Sequence, residues 1–177
     1  MSGGGRCAVF IDRDGVLNDV ILRNGAPESP RSLDQLRLAP DLDAVRQLSD
    51  AGLLVFMITN QPDIGRGNVT AELVAAVHDR IRTRVHFDDV RVCTHDDADG
   101  CDCRKPKPGM ILDLARVWDV DLSCSFVIGD MWRDADAARA AGCRSILIRR
   151  AYNRAARPDE EVASLGEAVA RVLTHAG

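Results

Sequence analysis

The feature of this 177-residue chain that most restricts its fold is residues 53–58, Leu-Leu-Val-Phe-Met-Ile. A strand with one face in water alternates apolar and polar side chains. A run with no polar member belongs to a strand covered on both faces, and such strands build parallel sheets. Residues 7–11, 125–128 and 145–148 share this short apolar character, and residues 90–93 show a weaker form of it. Helical patterns fall between them. Residues 40–51 place Leu42, Val45 and Leu48 on one face and stop at Gly52. Thr70 caps a helix to about residue 84, with Leu73, Val74, Val77 and Ile81 on one side. Further helices run from Pro108 to about residue 118 and from about residue 133 to Gly142. A last one follows the capping box Ser164-Leu165-Gly166-Glu167 to about residue 175. Strands alternating with helices imply crossover connections. The expected architecture is therefore α/β: a three-layer α/β/α doubly wound parallel sheet, in one domain over residues 1–177. No stretch is set aside for a large cap domain. The Pro-containing segment 24–32 reads as a loop inserted after the first strand, with residues 18–32 lining the entrance to a site there.

Composition narrows the class further. Lys and Arg number 23 against 27 Asp and Glu, a net charge of −4, and aromatics make up only 4%. The chain lacks both the basic excess of a nucleic-acid binder and the stacking platforms of a single-strand binder. Its apolar runs stay far below the roughly 18 residues that a membrane span needs. The Gly-rich start leads straight into the first strand, without a signal-peptide pattern. These points favour a cytoplasmic protein with neither membrane nor nucleic acid as partner, and a monomer as the default state. In a reducing compartment its six cysteines read as free thiols or metal ligands, not disulfides. Cys7, Cys124 and Cys143 adjoin apolar segments and read as buried small hydrophobes. His78 and His86 read as surface residues, His175 as part of a fraying last turn, and Trp118 as helix-end packing.

In doubly wound sheets, ligands bind beyond the carboxyl ends of the strands, so the polar residues there carry the function. Asp12-Arg13-Asp14-Gly15 follows the first strand, and Thr59-Asn60-Gln61 follows the second major one. Arg104-Lys105-Pro106 precedes the helix at Pro108, and Gly129-Asp130 follows the fourth strand, with Asp134 four residues on. Carboxylates that converge repel one another unless a cation joins them, and oxygen donors of this kind suit Mg²⁺. Lys105 and the Thr59 hydroxyl add donors for an anion, which completes a phosphate clamp. One Asp can attack phosphorus, and a carboxylate two residues away can protonate the leaving oxygen and then activate water. A separate cluster lies in residues 93–103. Cys93, His95, Cys101 and Cys103 offer three thiolates and an imidazole as two close pairs, which suits a tetrahedral structural Zn²⁺ site.

Residues 10–16, 58–60, 105–106 and 128–134 together resemble the four motifs of the haloacid-dehalogenase-like phosphohydrolases, in order and in strand context. The resemblance covers nearly the whole chain. It implies Asp12 as nucleophile and Mg²⁺ ligand, and Asp14 as general acid/base and Mg²⁺ ligand through its carbonyl. It implies Thr59, Asn60, Arg104 and Lys105 as phosphate- or substrate-binding groups, Asp130 as a further Mg²⁺ ligand, and Asp134 as acidic support. The cysteine loop just before Arg104-Lys105 is similar to that of the subgroup holding the heptose bisphosphate and histidinol-phosphate phosphatases, where Zn²⁺ is structural. Residues 104–110, ending Pro-Gly-Met, and Gly65-Arg66-Gly67 look like the heptose branch. The five residues between His95 and Cys101 look like the histidinol-phosphate branch. Met131 stands where the heptose branch often carries a Lys. Arg133 is a substitute for it or a solvated helix-start residue, and Arg23, Arg31, Arg66 and Arg104 are candidates for a second phosphate. The implied activity is a Mg²⁺-dependent phosphomonoesterase acting on D-glycero-D-manno-heptose 1,7-bisphosphate at the C7 phosphate, through an aspartyl-phosphate. The alternatives are histidinol phosphate, another small sugar phosphate, or a non-catalytic binding module that keeps the fold. Competent residues at every catalytic position argue against the last.

Overall fold

A computed structural model describes residues 5–153 and 156–176. Strand β1 (Ala8–Ile11) is buried along its whole length. Leaving aside the hairpin β2 (Ile21–Arg23) and β3 (Ala26–Glu28), β1 pairs in parallel with β4 (Leu54–Asn60) and β6 (Phe126–Gly129). β5 (Asp89–Cys93) adds outside β4; β7 (Arg144–Ile148) and then β8 (Glu160–Val162) add outside β6. The sheet therefore has six strands in the order β5-β4-β1-β6-β7-β8. The chain leaves β1 toward one edge, then crosses back to β6 on the other side. That reversal opens the crevice at the carboxyl ends of β1 and β6, where Asp12 and Asp130 follow.

The absence of polar residues in the central strands has a direct cause. Val9 and Ile11 face one layer, with Val77 and Ile81 of α3 (Ala71–Arg82) and Val169 and Val172 of α6 (Leu165–Ala176). Ala8 and Phe10 face the other, with Met110 and Leu114 of α4 (Gly109–Trp118) and Ala137 and Ala138 of α5 (Trp132–Ala141). Alternate residues thus point into two cores, and both cores need apolar side chains. The expected three-layer α/β arrangement without a large cap is the observed one. No helix among the described residues is long and apolar enough to cross a membrane.

Several local expectations are corrected. Residues 18–32 are not a plain loop: β2 and β3 pair antiparallel around Asn24-Gly25, both at positive φ (52° and 78°). Asn-Gly is a favoured pair for a tight hairpin turn because both residues tolerate that conformation. The helix expected over residues 40–51 is a 3₁₀ turn, Leu42–Val45, followed by the short α1 (Arg46–Asp50). β8 and the single helical turn α2 (Pro62–Gly65) were not expected at all. His78 is buried, 7% exposed, because it lies on the inner face of α3 with Val74, Val77 and Ile81. His175 is helical: it stacks on Phe126 and contacts Glu160 at 2.5 Å. Cys7 and Cys124 form a disulfide, with Cα atoms 5.3 Å apart. The β1–β6 register, Val9 opposite Phe126, puts these two residues opposite each other when extended two residues back. Cys143 is a buried free thiol.

Candidate active site

Three acidic side chains and one ammonium meet at the crevice. Asp12 Oδ1 accepts the Arg13 N–H at 2.7 Å, and Lys105 Nζ lies 2.9 Å from the same oxygen. Lys105 Nζ also lies 2.6 Å from Asp134 Oδ1 and donates to the Ile58 carbonyl at 3.3 Å. The other Asp134 oxygen accepts the N–H groups of Asp130 and Met131 at 3.2 and 3.1 Å, which fixes the turn into α5. A Cβ on Gly129 would run into the Asp134 side chain, so glycine is required where these segments touch. Burial and the neighbouring Asp134 push Asp12 up to about 7, against the pull of Lys105. Burial and the Asp12 charge raise Asp130 well above its ordinary value. Burial opposes the Lys105 charge, yet Asp12 and Asp134 outweigh it and hold the ammonium above its ordinary value.

One buried ammonium does not balance three buried carboxylates. Oxygens of Asp12, Asp130 and Asp134 lie within 4.8 Å of one another, and Asp130 Oδ1 is buried with no hydrogen-bond partner among the described residues. Clustered oxygen donors, one of them orphaned, fit a hard divalent cation such as Mg²⁺.

The Asp14 carboxylate is engaged elsewhere. Arg13, 1% exposed, donates to it from Nε and Nη2, at 2.9 Å in the closest contact. Asn18, Ser29 and Gln61 donate at 3.0, 2.7 and 2.7 Å. Burial raises this carboxyl, but Arg13 and the three donors together hold it below the usual range. The remaining Arg13 nitrogen, Nη1, donates to His78 Nε2 at 3.2 Å. Burial and the Arg13 charge lower His78 to about 4, so its ring is neutral near pH 7 and accepts this bond.

Asp12, Asp14, Asn60, Lys105 and Asp130 line a cavity of about 340 Å³ with Arg66, Arg104, Met131 and Arg133. Asn60 grips the Lys105 backbone at both ends: its Nδ2 donates to the carbonyl at 3.0 Å and its Oδ1 accepts the N–H at 3.1 Å. Thr59 is fully buried, is not among the lining residues, and accepts from Gln61 Nε2 at 2.8 Å. Arg23 and Arg31 also stand outside the lining, paired with Glu28 and, for Arg31, with Asp63.

Cys93, His95, Cys101 and Cys103 come together as expected. Their sulfurs lie 3.2, 3.5 and 3.7 Å apart, and His95 Nδ1 lies 3.6 Å from Cys93 Sγ and 3.3 Å from Cys103 Sγ. A tetrahedron with Zn–S bonds of about 2.3 Å has edges of about 3.8 Å, so these four donors fit that ion. The intervening loop reaches the cavity. Asp97 accepts Arg104 Nε at 2.6 Å and lies 3.5 Å from Arg133 Nη1, and Asp96 accepts Arg66 at 2.5 and 2.8 Å.

Sequence reasoning missed the partners of the acidic residues: Arg13, His78, Asn18, Ser29, Gln61 and a segment after β7. There Arg150 donates to the Gly15 carbonyl, Tyr152 to the Asp130 carboxylate, and Asn153 to the Asp130 carbonyl. Of these only Arg13 and Gln61 stood next to recognised positions.

The parallel sheet, the paired aspartates after β1 and the Lys105–Asp134 contact define a class, and the comparisons agree. The chain belongs to the haloacid-dehalogenase-like hydrolases; the HAD-hydrolase-like family model matches residues 102–176. It is 45% identical over 151 residues to D-glycero-beta-D-manno-heptose-1,7-bisphosphate 7-phosphatase of Rhodopseudomonas palustris, covering 77% of this chain and 80% of that protein. It is 36% identical over 150 residues to the Pseudomonas aeruginosa protein of the same name, covering 81% and 82%. The crystal structure of D,D-heptose 1,7-bisphosphate phosphatase from B. bronchiseptica, complexed with magnesium and phosphate, superposes with a TM-score of 0.82 at 31% identity. That match covers 95% of this chain and 98% of the other.

Proposed function

We propose that the chain, as one domain over residues 1–177, is a Mg²⁺-dependent phosphomonoesterase that removes the C7 phosphate of D-glycero-D-manno-heptose 1,7-bisphosphate. The observation that carries the reading is Lys105 Nζ placed between Asp12 and Asp134, two members of the carboxylate cluster that Asp130 completes, at a cavity lined by arginines. The names and extent of the matching relatives support the substrate. Mg²⁺ would be held by Asp12, Asp130 and the Asp14 carbonyl, and when bound it supplies charge neutralisation at the transferring phosphoryl group.

Asp12 attacks phosphorus, and the sugar oxygen departs with a proton from Asp14. Water then attacks the aspartyl-phosphate, loses its proton to Asp14, and releases phosphate and free Asp12. The observed Asp14, ionised in the Arg13 fork, suits the second step. The first calls for it to leave that fork and carry a proton. Lys105, its backbone fixed by Asn60, bears the phosphoryl charge. Arg66 and Arg104, placed by the metal-binding loop, take the second phosphate or sugar hydroxyls as bidentate donors. In that loop Zn²⁺ is structural, since four protein donors leave no open position.

The protein acts as a monomer with a small phosphorylated sugar as its partner. A cytoplasmic location belongs to the same reading, because a reducing compartment keeps the cluster's thiols available. The Cys7–Cys124 bond is the observation that runs against it.

The test is phosphate release with Mg²⁺ from both anomers of heptose 1,7-bisphosphate and from histidinol phosphate. Preference for a heptose bisphosphate, lost in Asp12→Asn or on adding a chelator, is expected. Preference for histidinol phosphate would move the substrate to the other branch, and unchanged turnover in Asp12→Asn would defeat the mechanism.

A further inference from the structure

The segment between β7 and β8 has no part in the reaction as derived, yet it is tied to both acid-bearing loops. Arg150 Nε and Nη2 donate to the Gly15 carbonyl at 3.1 and 2.7 Å. Asn153 Nδ2 donates to the Asp130 carbonyl at 2.7 Å, and its Oδ1 accepts the Trp132 N–H at 3.3 Å. Between them the Tyr152 hydroxyl donates to Asp130 Oδ2. These bonds span 21 to 135 positions of sequence, so they hold the loop after β1 and the loop after β6 together across the crevice. A Cβ on Gly15 would run into both the Asp130 carboxylate and the Tyr152 hydroxyl, so that glycine, at φ 82°, is what lets the three meet.

The two oxygens of Asp130 are therefore unequal. Tyr152 occupies Oδ2, while Oδ1 is buried and lacks a partner among the described residues. A carboxylate held this way offers one oxygen. That suits a small cation demanding octahedral geometry with single-oxygen carboxylate ligands; a larger cation such as Ca²⁺ readily takes both oxygens of a carboxylate.

We propose that Tyr152 is a positioning residue that locks Asp130 as a one-oxygen ligand and so sets the preference of the site for Mg²⁺ over Ca²⁺. The inference rests on the reading that Asp12 and Asp130 hold a divalent cation. Hydrogen bonds to metal-ligating carboxylates are worth about 10–100-fold in affinity, which gives the scale of the effect.

The experiment is calorimetric titration of the full chain, stripped of divalent cations at the carboxylate site, with Mg²⁺ alone and with Ca²⁺ alone. Wild type is compared with Tyr152→Phe, which keeps the ring and removes one oxygen; melting in the cation-free state checks that its fold is intact. The expected result is at least about tenfold weaker Mg²⁺ binding with Ca²⁺ binding unchanged or tighter, so that the selectivity ratio falls. Equal weakening for both ions would mean a general structural role and would overturn the inference. So would unchanged affinities for both. Should Tyr152→Phe melt far below wild type, Arg150→Met, which loosens the segment and leaves the hydroxyl, is titrated alongside it: an equal selectivity loss in both variants overturns the inference, and a loss confined to Tyr152→Phe upholds it. Wild-type protein that binds neither ion would instead defeat the cation reading itself.

Discussion

Lys105→Met offers the sharpest test of the electrostatic argument. The substitution keeps the length of the buried side chain, 4% exposed, and removes its charge. Nζ stands 2.9 Å from Asp12 and 2.6 Å from Asp134. At an effective dielectric constant of about 20, each contact is worth about 6 kcal/mol before desolvation is subtracted. Removing one member of a buried ionic group costs about 3–5 kcal/mol net, because the remaining charges stay buried without compensation. For a domain of this size that is a melting temperature lower by roughly 6–20 °C. The penalty depends on ionised carboxylates. Asp12 is pushed up to about 7 even with the lysine present, so the share of the loss that comes from the Asp12 contact should be present at pH 8 and absent at pH 5.5, making the total loss larger at pH 8. The variant also leaves a more negative cavity, so Mg²⁺ should bind at least about tenfold more tightly and add about 1.4 kcal/mol more stabilisation than in wild type. Urea unfolding at both pH values, with EDTA and with Mg²⁺, measures all of this. A loss of stability independent of pH, with no larger response to Mg²⁺, would refute the reasoning and reduce Lys105 to a packing residue.

Three further outcomes follow from the same structure. The folded value of Asp12 is raised from 3.8 to about 7, so its stabilising contribution is complete below 3.8 and is lost as pH rises toward 7. Metal-free wild type should be less stable at pH 8 than at pH 5 in urea unfolding, and Mg²⁺ should close the gap; a gap insensitive to Mg²⁺ would count against the carboxylate cluster. His78→Phe leaves Arg13 Nη1 without its acceptor, at a cost of about 1–3 kcal/mol. Because a looser Arg13 lowers the Asp14 carboxyl less, and the first step needs that carboxyl protonated, the alkaline limb of the kcat/KM profile should move to higher pH, and an unmoved limb would mean His78 does not act through Asp14. Cys7→Ser should destabilise the chain by up to about 5 kcal/mol, since the disulfide closes a sequence separation of 117; equal melting of wild type with and without reductant would contradict this.

What was legible in the sequence divides along a physical line. The central strands announced themselves because burial on two faces forbids polar residues in β1, β4 and β6. Asp12, Lys105 and Asp130 were legible because each sits directly after a strand or before a helix, where short spacing fixes position. Cys93, His95, Cys101 and Cys103 were legible because two local pairs suffice to draw a tetrahedron. The hairpin was readable in principle, since Asn24-Gly25 is a turn signal, but strands of three residues give too little alternation to support it. β8, Glu-Glu-Val at the sheet edge, carries no hydrophobic pattern at all.

The supporting contacts were illegible for a different reason: they depend on register and distance, not on pattern. The Cys7–Cys124 bond follows from the β1–β6 register, which two apolar runs of similar composition do not reveal. His78 lies 65 positions from Arg13, and its polarity suggested a solvent-facing place on α3. Its neutral ring is tolerated in the interior because it has a donor to accept from, and Arg13 is tolerated there because Asp14 and His78 together use its fork. Tyr152 lies 22 positions from Asp130, in a segment with no motif. Each supplies a hydrogen bond that a buried charge needs. The acidic residues of the cavity could thus be listed from the sequence, while the protonation and orientation on which their chemistry depends are set by residues that only the fold brings to them.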